Sequence, residues 1–455
     1  MAKKPFSAKQ KKAQLQAKRA KKDGRDITND KIEENLSTTE QLIKSAAIND
    51  RNAPFLRFAN ENDQQVEKNK AESVIPFTTE PKRVIPVEWF LRNEYAIPLP
   101  RKPEWETGMT HEEIQEREER YFLSWLASIG ELVSHKSLVD RDEEDLNEIE
   151  KAAKKNSSDQ LSFSAEMNMF ETNLRVYQEF WRVVDDRSDV VAVIVDSRFP
   201  LAHCPRSLVD YLDDAGKDWI MVLNKSDLVE SAHIDSWITF LRSVYPSCKA
   251  FIRANSSDKT RSHDLAREIA DAAINLHPRL ETVSIGIVGQ PSVGKSSLLN
   301  FIMEKRLTRT GRTAGVTKHL QTGYLPLPED PRRVLLVDCP GLCLPLRGVP
   351  RALQIIIGVF PLARTREFFS ALRLLVESNP ENFQLEEDDS PLTYFTRICE
   401  KRGFYTSHET PFIHRAAIQL FTDVVDGKIK YAFPAPTEPF EMEPRVHVER
   451  MGLDE

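Results

Sequence analysis

Cysteine is scarce in this chain, and its positions show no recognisable spacing. The 455 residues contain five cysteines, namely Cys204, Cys248, Cys339, Cys343 and Cys399. A scattered, odd-numbered set excludes the disulfide framework of small secreted proteins, and no two pairs have the spacing of metal ligands. We therefore expect a reducing compartment, either the cytoplasm or the nucleus with its nucleolus.

Long hydrophobic runs are missing as well. The most apolar stretches, residues 190–195 and 353–363, are much shorter than the roughly 20 residues needed to cross a bilayer. The basic N-terminus is not followed by an apolar block, so no secretory signal is expected. With 40% hydrophobic and 29% charged residues, the composition predicts a soluble globular protein without a membrane partner. We also expect a monomer.

Positive charge is concentrated at the N-terminus, although the whole chain has a net charge of −7. The first 25 residues contain ten lysines and arginines against one acidic residue, Asp23. Such single-sign blocks at a terminus are typical of interaction tails. We predict that residues 1–22 bind RNA or direct the protein to the nucleus; a solvated tail without function is the alternative.

The length of the chain predicts two or three domains, and changes in composition indicate their bounds. Residues 1–75 are predicted to form the basic tail and a polar linker, and 76–165 an extended arm and a helix that pack on the main domain. An α/β domain is expected at 166–345, a mainly helical C-terminal domain at 346–436 and a tail at 437–455.

Apolar runs alternate with helical patterns in the main domain. The predicted strands lie near residues 190–195, 220–224, 249–256, 283–288 and 333–338. This alternation indicates a mostly parallel sheet covered by helices on both faces. Helical spacing also predicts helices at 110–129, 169–187, 262–276, 350–377 with an interruption at Pro361, and twice within 392–426, before a short strand or extended end at 427–436.

The segment GQPSVGKSS, residues 289–297, lies between a predicted strand and a predicted helix. A strand, then G-x-x-x-x-G-K-S, then a helix is the phosphate-loop pattern, in which backbone N–H groups and the helix N-terminus hold phosphate. Lys295 is expected to reach the terminal phosphates and Ser296 to bind Mg²⁺. The predicted nucleotide-binding residues here are Gly289, Gln290, Pro291, Ser292, Val293, Gly294, Lys295, Ser296 and Ser297.

The segment N-K-S-D, residues 224–227, follows another predicted strand, and ligands of parallel sheets bind at the carboxyl ends of strands. The Asp227 carboxylate is able to accept hydrogen bonds from the N1–H and exocyclic amine of guanine, whereas adenine offers the opposite pattern. Lys225 is expected to lay its stem over the purine, and Asn224 to tie this loop to the phosphate side. We expect the loop near Ala254 to close the base site.

Two further segments complete a predicted GTP–Mg²⁺ site. In DCPG, residues 338–341, Asp338 is expected to hold Mg²⁺ through water and the Gly341 N–H to sense the terminal phosphate. The loop RTGRTAGVTKH at 309–319 contains the predicted Mg²⁺ ligand Thr317, with Thr313 as the alternative. The predicted catalytic residues are Lys295, Thr317 and Gly341.

The order of these motifs is unusual, because the base-reading segment precedes the phosphate loop and the two switch segments follow it. This order indicates a circularly permuted P-loop GTPase domain. The second switch, after Asp338, then leads directly into the C-terminal region, so a nucleotide-dependent shift at Gly341 would act on that region.

The chain resembles the circularly permuted GTPases of the YlqF/YawG type. DSRFP at 196–200 is similar to their D-A-R-x-P signature, with serine in place of alanine, and the resemblance covers about residues 110–435. The basic start and RKPEWETGMT at 101–110 resemble the guanine nucleotide-binding protein-like 1 branch. The resemblance implies ribosome assembly, mostly of the large subunit, with ribosomal RNA or a pre-ribosomal particle as partner.

Two residues bear on the rate of hydrolysis. Leu342 occupies the position of the glutamine that orients water in Ras-like enzymes, so slow intrinsic turnover of GTP to GDP is expected. Ser292 stands where potassium-using relatives usually have asparagine, so we expect little activation by K⁺. An arginine finger from a partner, or from Arg309 or Arg312, is the remaining route to faster hydrolysis.

The motifs favour a GTP-driven switch in ribosome assembly, and two alternatives remain. One is a GTP-sensing, RNA-binding scaffold with negligible turnover, which Leu342 and Ser292 both support. The other is a metabolic phosphotransferase, which would need an acceptor pocket and would show no preference for guanine.

Overall fold

The computed structural model defines the backbone of most of the predicted domains. It describes residues 63–78, 87–91, 97–134, 168–304, 321–327, 332–346, 349–437 and 440. The basic tail at 1–22 and the predicted switch segment at 309–319, with Thr313 and Thr317, lie outside the described residues.

A six-stranded sheet forms the centre of the described chain. Its strands are β1 Val190–Asp196, β2 Asp218–Asn224, β3 Cys248–Arg253, β4 Thr282–Val288, β5 Gln321–Tyr324 and β6 Arg333–Asp338. Their spatial order is β3-β2-β1-β4-β6-β5, and all pairs are parallel except the antiparallel β5–β6 pair. The predicted α/β architecture with a mostly parallel sheet is confirmed.

Helices cover both faces of this sheet because its central strands are apolar on both sides, as burial of all seven residues of β1 illustrates. The α-helices are α1 Asp63–Ala71, α2 His111–Ser134, α3 Leu174–Trp181, α4 Pro200–His203, α5 Arg206–Asp214, α6 Ser231–Val244, α7 Ser262–Leu276, α8 Lys295–Ile302, α9 Arg351–Ile356, α10 Phe369–Ser378, α11 Pro391–Arg402 and α12 Ile413–Val425.

The helix predicted at 169–187 is shorter than expected. Helix α3 begins only at Leu174 because the Asn173 side chain accepts a hydrogen bond from the N–H of Arg175 and caps the first turn. After Trp181 the chain continues as one π-helical segment, Arg182–Asp186. The predicted apolar stripe nevertheless faces inward, since its members are buried.

The proline-rich arm is attached to the body by two tryptophans. The indole N–H of Trp125 in α2 donates to the Pro98 carbonyl at 2.8 Å, and that of Trp181 donates to the Pro100 carbonyl at 2.8 Å. Helix α2 begins as predicted, because Thr110 and Glu113 bond each other's side chains and backbone N–H groups.

The C-terminal helices share one apolar core with one face of the sheet. Buried residues of the arm, of β1 and β2 and of α9–α12 belong to the same hydrophobic cluster, while α7 and α8 cover the opposite face with a second cluster. Pro361 separates α9 from α10 as expected, and residues 430–436 form neither a helix nor a strand. Among the described helices, none combines the length and apolar character required of a membrane span.

Candidate functional site

The carboxyl ends of four parallel strands meet at one edge of the sheet. Strand β1 ends at Asp196, β2 at Asn224, β4 just before Gly289 and β6 at Asp338. The strand order reverses between β1 and β4, and such a switch point is where open α/β sheets bind ligands. The structure therefore brings the predicted base-reading loop, phosphate loop and Asp338 to the same edge.

The phosphate loop has a backbone that only particular residues tolerate. Gly294 precedes α8 with φ +93°, and a Cβ at this position would lie 2.5 Å from Nδ2 of Asn224. Ser292 also has positive φ, +62°, although it is not glycine. A residue larger than glycine at 294 would separate the phosphate loop from the base-reading loop.

Lys295 folds back over the loop it terminates. Its ammonium donates to the carbonyl oxygens of Gly289 and Gln290 at 2.8 and 2.9 Å, and its side chain is buried. A Cβ on Gly341 would lie 3.3 Å from the Lys295 Nζ atom. The predicted phosphate-binding lysine and the predicted phosphate-sensing backbone of Gly341 are thus neighbours.

Asn224 joins the base-reading loop to the phosphate loop. Its Nδ2 atom donates to the Val293 carbonyl at 2.8 Å, and the residue is buried. This is the tie that the sequence predicts for Asn224. Because the bond spans 69 residues of chain, it fixes the distance between the two halves of the site.

Asp227, the residue predicted to bind guanine, has a partner that the sequence did not indicate. Ser257 Oγ, on the loop after β3, donates to Asp227 Oδ2 at 3.0 Å. The same loop is held by the Ser226 N–H, which donates to the Ala254 carbonyl at 3.0 Å. The loop expected near Ala254 therefore contacts the predicted base site through Ser257. The Ser-Ser sequence at this position is common in turns and did not single out Ser257.

Replacing Ser257 by alanine is expected to weaken GDP binding by about fivefold, because the Asp227 carboxylate loses the solvent-exposed hydrogen bond that orients it, a contribution of about 1 kcal/mol. Titration with a fluorescent GDP analogue measures this. Ser256→Ala is the matched control, since no side-chain hydrogen bond of Ser256 occurs in the described structure. Equal affinities for both variants would contradict the orienting role.

Asp338 is a buried carboxylate without hydrogen-bond partners. The residue is 1% exposed and neither oxygen is bonded to any described residue. Burial raises its pKa to about 6, and nearby Lys295 partly opposes this shift. An unpaired buried carboxylate beside a phosphate loop fits a Mg²⁺ ion, which oxygen ligands and water hold. Asp338 and the half-buried Ser296 are the described residues that would hold it.

Leu342 faces away from this edge. It is 3% exposed and belongs to the apolar core, while its backbone N–H donates to the Gly289 carbonyl at 3.4 Å. The position after Gly341 is therefore structural, because the side chain anchors the switch backbone in the core.

Comparison with known proteins agrees with this geometry. Residues 284–384 match a family described as 50S ribosome-binding GTPase. The chain is similar to Large subunit GTPase 1 of Schizosaccharomyces pombe, with 25% identity across 76% of this chain and 60% of that protein. It is also similar to Guanine nucleotide-binding protein-like 1 of Homo sapiens, with 26% identity across 95% of this chain and 85% of that protein.

Among solved structures, YlqF from T. maritima in its GNP-bound form aligns with 58% of this chain and 98% of its own length, at 21% identity and a TM-score of 0.41. The chain spans less than two thirds of the S. pombe relative. The motif order of the present chain and its sheet topology are those of a permuted P-loop domain.

Proposed function

We propose that the chain is a circularly permuted GTPase of the YlqF type, and that it binds GTP with Mg²⁺ and hydrolyses it slowly, as a nucleotide-dependent switch in the assembly of the large ribosomal subunit. The observation that carries this proposal is the Asn224–Val293 bond, which joins a guanine-reading loop to a phosphate loop. Only a ligand with both a purine and phosphates uses both loops.

The position of Leu342 supports the proposal of slow turnover. Its buried side chain is apolar and points into the core, so this residue does not orient an attacking water. Backbone groups and Lys295 are left to stabilise the charge that develops on the phosphates. A Mg²⁺ ion held by Asp338 and Ser296 would supply further positive charge there. A partner that adds a water-orienting or cationic group would accelerate the reaction.

Assembly of the large subunit is supported by what the relatives are called, Large subunit GTPase 1 and 50S ribosome-binding GTPase. The basic segment at 1–22 has the charge needed to bind RNA phosphates. We propose ribosomal RNA or a pre-ribosomal particle as the partner, in the cytoplasm or nucleus.

Single-turnover hydrolysis of radiolabelled GTP, with and without purified pre-ribosomal particles, tests the switch. We expect tight binding, slow hydrolysis by the isolated protein and acceleration by large-subunit particles but not small-subunit particles. Tight binding with no acceleration by any particle would contradict the switch.

The second candidate is a GTP-sensing, RNA-binding scaffold with negligible turnover, and the burial of Leu342 is the observation that favours it. Sedimentation of the tagged protein with RNA crosslinking distinguishes the two. A scaffold stays on the particle equally with GTP and GDP, whereas a switch leaves it after hydrolysis.

Replacing Leu342 by glutamine is not expected to create a fast GTPase. The new amide would enter the apolar core, where an unbonded polar group costs about 1–3 kcal/mol. We expect a lower denaturation midpoint and an unchanged single-turnover rate. Leu344→Gln, also a buried leucine of this segment, controls for destabilisation alone; a rate increase specific to Leu342→Gln would contradict the structural role.

A further inference from the structure

Three consecutive residues at the carboxyl end of β1, Asp196, Ser197 and Arg198, connect the guanine-reading loop to the end of the C-terminal helical region. Ser197 donates to the Asn224 carbonyl through both its N–H, at 2.9 Å, and its hydroxyl, at 2.7 Å. Asp196 and Arg198, on either side, are both buried. Within the described chain, none of these three side chains bonds to the phosphate loop, yet they hold the backbone from which Lys225 and Asp227 project.

Arg198 forms the centre of this connection. Its guanidinium binds the Asp196 carboxylate with two bonds, of 2.9 and 2.8 Å. The remaining donors reach the carbonyl oxygens of Val424 and Val425, at 2.7 and 3.0 Å. Those carbonyls belong to the last turn of α12, where the Val424 carbonyl also accepts the Gly427 N–H at 3.0 Å.

Lys225 belongs to the same network. Its ammonium lies 2.8 Å from Asp196 Oδ2 and 3.5 Å from the Val425 carbonyl. Its backbone is left-handed, with φ +58°, so the side chain has a fixed starting direction. The Asp196 carboxylate therefore holds the ammonium of Lys225, the residue expected to cover the purine, and Arg198 holds Asp196 in turn.

The charges in this network balance one another only when all of its members are in place. Burial alone would raise the pKa of Asp196, but the charges of Lys225 and Arg198 hold that pKa far below its ordinary value. Two cations against one carboxylate leave an excess positive charge. The carboxyl end of α12, where the helix dipole is negative, offsets that excess.

Two glycines show how closely the C-terminal region approaches both nucleotide loops. A Cβ on Gly427, directly after α12, would lie 2.5 Å from Leu228 at the end of the base-reading loop. A Cβ on Gly358, after α9, would lie 3.0 Å from Val425 and 3.1 Å from Ser292 of the phosphate loop. Movement of α12 therefore displaces residues beside both loops.

We propose that Asp196 and Arg198 are positioning residues for guanine recognition, and that the seated carboxyl end of α12 completes their network. Guanine-nucleotide affinity then depends on the placement of the C-terminal helices, through the base side of the site. This inference rests on the proposed binding of guanine nucleotides. It is separate from the route through Gly341, which passes through the phosphate side.

Arg198→Lys tests the positioning role. Lysine keeps the charge but not the two-pronged bond to Asp196 or all the bonds to α12. We expect about tenfold weaker GDP binding and a similar rise in KM for GTP. The single-turnover rate at saturating GTP should not change, because the phosphate loop keeps its residues. A fall in that rate with unchanged KM would overturn the proposal.

Gly427→Ala tests the connection from the C-terminal side without altering a charge. The added methyl must push Leu228 away, and we expect about tenfold weaker GDP binding. Gly403→Ala is the matched control: Gly403 also has positive φ, +67° against +78°, but its Cβ would meet nothing within 4 Å. Both variants carry similar backbone strain, so equal affinities would overturn the proposal.

The effect of GDP on amide hydrogen exchange distinguishes this coupling from a general loss of stability. If the packing of α12 against Arg198 raises the affinity for guanine nucleotides, GDP binding must stabilise that packing by the same factor. We expect GDP to slow exchange of the amides near residues 424–429 in the wild type. In Arg198→Lys, GDP should no longer slow this exchange. Unchanged exchange in the wild type on GDP binding would overturn the coupling.

Failure of the inference and failure of the proposed function give different results. If the wild-type protein does not bind fluorescent GDP, the proposed function fails. If the wild type binds GDP and Asp227→Asn alters base preference, while Arg198→Lys and Gly427→Ala bind GDP normally, only the inference fails.

Discussion

Replacing Asp227 by asparagine is expected to weaken GDP and GTP binding by about 100-fold and to create a preference for xanthosine nucleotides. The carboxylate is expected to accept two hydrogen bonds from guanine, and losing charge-assisted bonds costs on the order of 3 kcal/mol. An amide donates where the carboxylate accepts, and xanthine carries a carbonyl in place of the guanine amine. Competition titrations with GDP, ADP and XDP measure the change.

Asp264→Asn is the control for this substitution, because Asp264 is an exposed acid in the first turn of α7. It removes the same charge from the surface without touching either loop. An unchanged guanine preference in Asp227→Asn would refute the assignment of the base-reading loop. It would also revive the phosphotransferase alternative, which predicts no discrimination between purines.

Replacing Asp338 by asparagine is expected to have opposite effects on ligand binding and on stability. Without the carboxylate, the Mg²⁺-dependent part of GTP affinity should disappear. The nucleotide-free protein should gain stability, since a carboxyl whose pKa rises from 3.8 to about 6 opposes folding by on the order of 3 kcal/mol when ionised. Denaturant titrations and GTP titrations with Mg²⁺ or EDTA measure both quantities.

The sign of the pH dependence distinguishes this effect from a general change in packing. The raised pKa costs nothing below pH 3.8, and the cost grows as pH rises until it is complete above about pH 6. The stability gained by Asp338→Asn should therefore be full at pH 8 and absent at pH 3.5. Asp264→Asn, which neutralises an exposed acid outside the site, should retain Mg²⁺ dependence. A gain independent of pH would contradict the buried-charge explanation.

The sheet and the positions of its motifs could be predicted because they depend on local patterns. Continuous apolar runs such as 190–195 read as strands buried on both faces, and the sequence G-x-x-x-x-G-K-S constrains a backbone by itself. The capping pair Thr110 and Glu113 is equally local, and it bonds as the spacing predicts. Bounds were less exact, since the Asn173 cap shortens α3.

The contacts that complete the base site could not be predicted, because they join distant positions through ordinary residues. Ser257 contacts Asp227 from a loop whose sequence has no signature. Lys225 was expected over the purine, but the bond from its ammonium to Asp196 depends on strands β1 and β2 ending side by side. The D-S-R-F-P signature marked Arg198 without indicating that it would bind α12.

The contact between Lys225 and Val425 spans 200 residues of chain, and this has a consequence during synthesis. At about 5–20 residues per second, Lys225 is synthesised roughly 10–40 s before Val425. The guanine site is therefore still incomplete when the last strand of the sheet has been synthesised. Tight binding of guanine nucleotides is therefore expected only after the C-terminal helices have been synthesised. Chains truncated before α12 should bind GTP more weakly than the full-length protein.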